Sequence, residues 1–213
     1  SKRGSRASRQ LAASPELSEI ERLLGNANGI ILPGGFGRRG QQGMVEAARF
    51  ARERKIPYFG ICLGMQIAVI EFGRHVLGYT DADTRECRPD STHPVIDLMP
   101  DQQGNLPKGG TMRLGAYPCR ILPNSKLSDA HKEKEIQERH RHRYEFNNSY
   151  REAYESRGMR LTGLSPDGRL VEAVELADHP FYIGVQFHPE FKSRPNRAHP
   201  LFLAFVAAAD GNR

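Results

Sequence analysis

Apolar residues along this 213-residue chain fall in short dense runs, separated by glycine-rich turns and amphipathic stretches. Residues 14–27, SPELSEIERLLGNA, put Ile20, Leu23 and Leu24 on one side of a helical repeat. Ser14 is placed to cap that helix and Pro15 suits its first turn. GIILPGGFG (29–37) reads as a short buried strand entering a glycine-rich loop. Over Gln41–Lys55, Val45, Ala48, Phe50 and Ala51 recur at helical spacing. IPYFGI (56–61) is a second buried strand, and CLGMQIAVIEFG (62–73) opens the next helix. This order implies parallel strands joined by crossover helices. The expected fold class is α/β: a layered sheet of mostly parallel strands with helices on both faces.

The middle of the chain is less regular. Residues 80–110 hold Pro89, Pro94, Pro100 and Pro107 with Gly104, Gly109 and Gly110, which reads as loop with short strands. GTMRLGAYPCRIL (110–122) looks like a strand, and residues 125–147 like a short helix followed by a strand. MRLTGLSPDGRLVEAVEL (159–176) is a hairpin turning at Ser165-Pro166-Asp167-Gly168. FYIGVQF (181–187) is a further strand and HPLFLAFVAAA (199–209) a final helix. No internal repeat is found. The expected organisation is a basic disordered tail over residues 1–13 and one domain over 14–213.

Charge changes the picture little. The formal net charge is +6, but residues 1–13 carry four basic residues and no acid, leaving +2 for the remainder. Nucleic-acid binding is therefore not expected. Three cysteines, Cys62, Cys87 and Cys119, without a C-x-x-C pair or zinc-like spacing, suggest a reducing compartment and no metal. The apolar run 201–209 is far short of the roughly twenty residues that span a bilayer. No signal peptide is recognised. A cytoplasmic protein with no membrane partner is expected.

The candidate chemistry centres on Gly60-Ile61-Cys62-Leu63-Gly64. A cysteine between glycines at a strand-to-helix turn is either a packed core thiol or a nucleophile on a tight elbow. In the second case the helix N-terminus should lower the thiol pKa and its N–H groups should bind an oxyanion. A nucleophile needs a base and an orienter. His188, in GVQFHPE, directly follows a buried strand, and Glu190 two residues on can accept from the imidazole. The other histidines fit less well: His140 and His142 lie in an Arg-rich strand, His75, His93 and His131 in helix or loop, His179 and His199 before prolines. PGGFG (33–37) lacks G-K-[ST] and a clean G-x-G-x-x-G, so a phosphate cradle is weakly supported; its backbone N–H groups are an alternative oxyanion donor.

PGGFG, GICLGMQ and GVQFHPEF, in that order, resemble the glutaminase domain of class I glutamine amidotransferases, a flavodoxin-like fold. GGTMRLG (109–115), ERHRHRYEFN (138–147) and HPEFKSRP (188–195) narrow the resemblance to the CTP synthase family, over roughly residues 16–209. The resemblance implies hydrolysis of L-glutamine by Cys62 as nucleophile, His188 as acid/base and Glu190 as its partner. It implies backbone N–H groups of Gly35 and Leu63 for the oxyanion. Phe36, Gly64, Met65, Gln66 and Tyr144 join them around glutamine, with Glu86 on its ammonium and Arg143 on its carboxylate. Arg39, Gly40 and Gln42 correspond to a loop linked to activation by GTP, with Gln42 where the family pattern has an acid. The family carries an amidoligase domain that binds ATP, Mg and UTP and builds homotetramers. That domain and the first strand of the glutaminase domain are not found in this sequence, so a fragment, an excised domain or a degenerate copy is expected. No cofactor is expected within it. Other class I amidotransferases, γ-glutamyl hydrolases and a non-catalytic regulatory domain are the rival readings. The longer motifs argue against the first two, and Cys62, His188 and Glu190 against the last.

Overall fold

The computed structural model describes residues 15–98 and 112–212. The chain runs α1 (Pro15–Leu24), β1 (Ile30–Leu32), α2 (Gln41–Arg54), β2 (Tyr58–Ile61) and α3 (Leu63–His75). It continues through β3 (Asp83–Thr84), β4 (Pro94–Asp97), β5 (Arg113–Ile121), α4 (Lys126–His131), β6 (Glu135–His142) and β7 (Glu145–Phe146). Then come α5 (Arg151–Glu155), β8 (Met159–Leu164), β9 (Val171–Leu176), β10 (Tyr182–Val185) and α6 (Pro200–Asp210). Short 3₁₀ turns cover Asn148–Tyr150 and Pro189–Phe191.

Seven strands form the main sheet in the order β1-β2-β10-β9-β8-β5-β6, and β3-β4-β7 form a smaller one. Helices cover both faces, as expected, but the sheet is mixed rather than mostly parallel. β1 and β10 flank β2 in parallel. Every later pairing, β10–β9, β9–β8, β8–β5 and β5–β6, is antiparallel. The physical reason is the connections: a crossover helix links β1 to β2, whereas a tight turn links β8 to β9. In that turn the Gly168 N–H donates to Ser165 O at 2.8 Å, with Gly168 at φ 74°.

Strand alternation sorts the core. Tyr58 and Tyr182 stack with ring centroids 4.4 Å apart among Val45, Ala48, Ile67 and Ile70 of α2 and α3. Phe59, Ile61, Ile183 and Val185 point the other way, onto Leu127 of α4 and Leu201 and Phe205 of α6. In α1, Ile20 and Leu24 pack on the core, but Leu23 is exposed, so the apolar stripe is narrower than expected. The Ser14 cap, the 1–13 tail and residues 109–111 of GGTMRLG lie outside the described residues. Because β1, β2 and β10 run parallel, their carboxyl ends share one edge, and the site forms there.

Candidate active site

Cys62 sits between the last residue of β2 and the first of α3, at φ 50° and ψ −100°. A side chain in the left-handed half of backbone space is strained and is held only by its surroundings. Here the Cys62 N–H donates to Val185 O at 2.7 Å, pinning the elbow to β10. The flanking glycines make the turn fit. A Cβ on Gly64 would stand 2.2 Å from Leu32 O, and one on Gly60 2.6 Å from the Gly64 carbonyl. The Tyr58 hydroxyl fastens the same carbonyl at 2.7 Å.

His188 follows β10, and its N–H donates to Arg139 O at 2.8 Å. Its Nδ1 lies 2.6 Å from Glu190 Oε1, and its ring stacks on Phe191 with centroids 4.7 Å apart. The carboxylate accepts a hydrogen bond from Nδ1–H, which keeps the proton on Nδ1 and the lone pair on Nε2. That Nε2 is buried and has no hydrogen-bond partner. Gly34 marks the junction with the thiol: a Cβ there would stand 2.7 Å from His188 Cε1 and 3.5 Å from Cys62 Cβ. The next residue, Gly35, is equally close to the helix start, its virtual Cβ 3.1 Å from Leu63 Cδ2. The structure thus gathers Cys62, His188, Glu190, Gly35 and Leu63 in one place.

The thiol is less acidic than the helix N-terminus suggests. Burial pushes the Cys62 pKa up to about 12, against a lowering hydrogen bond from the Leu63 N–H. The Glu190 and Glu145 carboxylates raise it further, and the Gln186 amide lowers it. The expected activation by the helix terminus is therefore present but outweighed. A proton acceptor, and not the turn alone, must make the thiolate.

A small pocket beside the thiol is lined by Gly35, Phe36, Cys62, Gln66, Glu86, Met112, His142, Arg143 and Tyr144. Glu86 and Arg143 bring opposite charges to it, and Glu86 helps to raise the Tyr144 phenol, after burial. Met65 is wholly buried, its Cα 3.0 Å from a virtual Cβ on Gly184, so its side chain belongs to the core and not to the pocket wall. Gly64 serves the close approach to Leu32 described above. Gly40 caps α2 at φ 74°. Gln42 accepts from Arg74 Nη1 at 3.1 Å and donates to Glu46 Oε1 at 2.9 Å. It lines a groove with Arg38, Arg49, Arg74 and Arg88, away from the thiol.

Gln186, Met112 and His142 stand around the site without being singled out in the sequence, and Gly34 enters there only as part of PGGFG. The alternation of β6 held the signal for His142. Ile136, Glu138, His140 and His142 all point inward, while the residues between are exposed. His142 Nδ1 faces Tyr144 O at 3.2 Å, and His140 Nδ1 faces His142 Nε2 at 2.9 Å. Since a carbonyl only accepts, His142 carries its proton on Nδ1, and its Nε2 accepts a hydrogen bond from His140 Nδ1–H. Burial, then Arg113, holds His142 neutral with a pKa of about 3 and His140 with one of about 2. Arg113 bridges the buried Glu145 and Glu172 at 3.1 and 2.8 Å.

Among the described residues one cluster has metal-ligand spacing, His131, Glu138 and His199. As arranged it is an ion-pair network. His199 Nδ1 accepts from the Leu201 N–H at 3.3 Å, so Nε2 keeps the proton and offers it to Glu138 Oε1 at 3.1 Å. The Lys192 ammonium occupies the same oxygen at 3.0 Å.

The sequence profile of the family described as glutamine amidotransferase class-I matches residues 5–208. The chain belongs to this family. Among curated relatives, the CTP synthase of Thermomicrobium roseum is 59% identical over 197 residues, 92% of this chain and 36% of that protein. The CTP synthase of Carboxydothermus hydrogenoformans is 56% identical over 194 residues, again 36% of its length. The chain thus spans little more than a third of the relatives it matches. The Trypanosoma brucei CTPS glutaminase domain, solved with bound acivicin, is 40% identical at a TM-score of 0.88. That match covers 93% of this chain and 77% of that one. This amidotransferase therefore matches the glutaminase part of CTP synthase in sequence and in fold.

Proposed function

We propose that the chain hydrolyses L-glutamine to glutamate and ammonia through Cys62, His188 and Glu190, as the glutaminase domain of a CTP synthase. The observation that carries this reading is the strained Cys62 elbow and, across Gly34 from it, an imidazole whose Nδ1 is held by Glu190 and whose Nε2 is buried and unpartnered. Glutamine lies in the small pocket, its ammonium toward Glu86 and its carboxylate toward Arg143, so that its amide faces the thiol. The thiol proton moves to His188 Nε2 as Sγ attacks the amide carbon. The oxyanion rests on the Gly35 and Leu63 N–H groups. His188 returns the proton to the amide nitrogen, ammonia leaves, and a thioester remains. His188 then takes a proton from water, hydroxide attacks the thioester, and glutamate and the thiol are restored.

In the whole protein, ammonia aminates UTP to CTP on an amidoligase domain, which holds ATP and Mg, in pyrimidine nucleotide synthesis. The glutaminase domain uses no cofactor or metal in this reading. GTP acts as an allosteric activator through the loop of Arg39, Gly40 and Gln42, whose neighbouring groove is rich in arginine. Residues 14–213 belong to the glutaminase domain in this reading, and the family match extends from residue 5. The whole enzyme is a cytoplasmic homotetramer built through the amidoligase domain; the described Cys62, Cys87 and Cys119 form no disulfide, and no described helix is long and apolar enough to cross a membrane. Cys62→Ala tests the chemistry. It should bind glutamine in calorimetry and release no glutamate, and measurable turnover in that variant would contradict the mechanism.

A further inference from the structure

Gln186 is fully buried one residue beyond β10, and its backbone is fixed by donation to Glu172 O at 2.8 Å. Its partner strand, β2, ends at Ile61, which pairs with Val185. The side chain therefore reaches across to the elbow, with Nε2 3.6 Å from Cys62 Sγ. The direction of this amide is set by its neighbours. Gln66 Nε2 lies 3.2 Å from Tyr144 O, and a carbonyl can only accept, so the Gln66 NH₂ must face it. The same NH₂ lies 3.1 Å from Gln186 Oε1. Gln186 must then present its own NH₂ to the sulfur.

We propose that Gln186 is a further catalytic residue, whose amide donates to Cys62 Sγ and stabilises the thiolate as His188 takes the proton. This rests on the glutaminase reading and adds a side-chain donor on the sulfur to the Leu63 N–H. The site needs it. The thiol is buried beside two carboxylates, and the Leu63 N–H and the Gln186 amide are the groups opposing them. A hydrogen bond to an ionised group is worth more than one to a neutral group, so the contact strengthens as charge develops on sulfur. Gln66 and Tyr144 both line the glutamine pocket, so its occupancy and the aim of the Gln186 amide are physically linked.

The test is alkylation of Cys62 by iodoacetamide across pH, read on the Cys62 peptide by mass spectrometry, together with kcat and KM for glutamine. Gln186→Met removes the donor at similar volume. Gln186→Asn keeps the amide but withdraws it by one methylene, and serves where the Met variant does not fold. The expected result is a pH–rate line displaced upward by about one unit and a kcat lowered roughly tenfold to a hundredfold, with KM within about threefold. An undisplaced or downward-displaced pH–rate line overturns the proposal whatever kcat does, since a packing defect that admits water relieves burial and lowers the thiol pKa. If the parent protein hydrolyses no glutamine yet Gln186→Met displaces the line, the glutaminase reading fails and the thiolate contact stands.

Discussion

Gly34→Ala isolates the thiol–imidazole geometry with one methyl group. The residue lies outside the left-handed region, so alanine is conformationally allowed. The added Cβ would stand 2.7 Å from His188 Cε1, where carbon contacts settle near 3.5–4.0 Å. The imidazole must therefore retreat by about 1 Å. It cannot do so freely, because Glu190 holds Nδ1 at 2.6 Å, Phe191 stacks on the ring and Arg139 O fixes its backbone. A displacement of this size in a reacting group costs on the order of a hundredfold in rate, about 2.7 kcal/mol. Overpacking should cost ~1–3 kcal/mol of stability, which leaves a folded protein. The assay is glutamate release under saturating glutamine, with thermal unfolding measured in parallel. A Gly34→Ala protein that turns over within about threefold of the parent would refute the inference that His188 works from beside Gly34.

Glu86→Gln and Arg143→Met should raise KM for glutamine roughly tenfold to a hundredfold each and change kcat less, because each removes a charge-assisted contact to the amino-acid end; steady-state kinetics checks this. Acid should weaken the fold. His140 and His142 are buried neutral, with pKa values of about 2 and about 3 against an ordinary value near 6.5. Folded pKa values below the unfolded ones mean that the unfolded chain binds more protons. Their stability contribution is then complete above about pH 6.5 and declines as pH falls toward 3, by about 1–2 kcal/mol per imidazole at pH 5. Glu145, pushed by burial up to about 8, acts in the opposite direction over the same range. The test therefore compares denaturant midpoints of the parent and a His142→Gln protein between pH 7.5 and 5. The parent should lose more stability toward pH 5, and equal slopes would contradict the buried neutral pair.

The first half of the chain was legible because local signals and tertiary structure agree. The apolar runs at 30–32 and 58–61 are the parallel strands, and the glycines around Cys62 mark a close approach that only glycine permits. Beyond β10 only the β8–β9 hairpin was legible in direction, from its turn at 165–168; elsewhere an apolar run reads the same in a parallel or an antiparallel sheet. Cys62, His188 and Glu190 were readable because G-x-C-x-G marks a strand-to-helix turn and His-Pro-Glu the turn that follows a buried strand. Gln186 and Gly34 were not. Nothing in GVQF or PGG distinguishes an amide aimed at sulfur or a glycine facing an imidazole from ordinary packing. The thiol pKa was misjudged because burial and two carboxylates distant in sequence outweigh a local helix terminus.

The central claim is that Cys62 is the nucleophile toward the glutamine amide. It is tested most directly by incubating the protein with an electrophilic glutamine analogue and locating the adduct by mass spectrometry. The account predicts one adduct, on Cys62, suppressed by excess glutamine and absent from Cys62→Ala. Modification at Cys87 or Cys119 instead, or none at Cys62 in the folded protein, would contradict it.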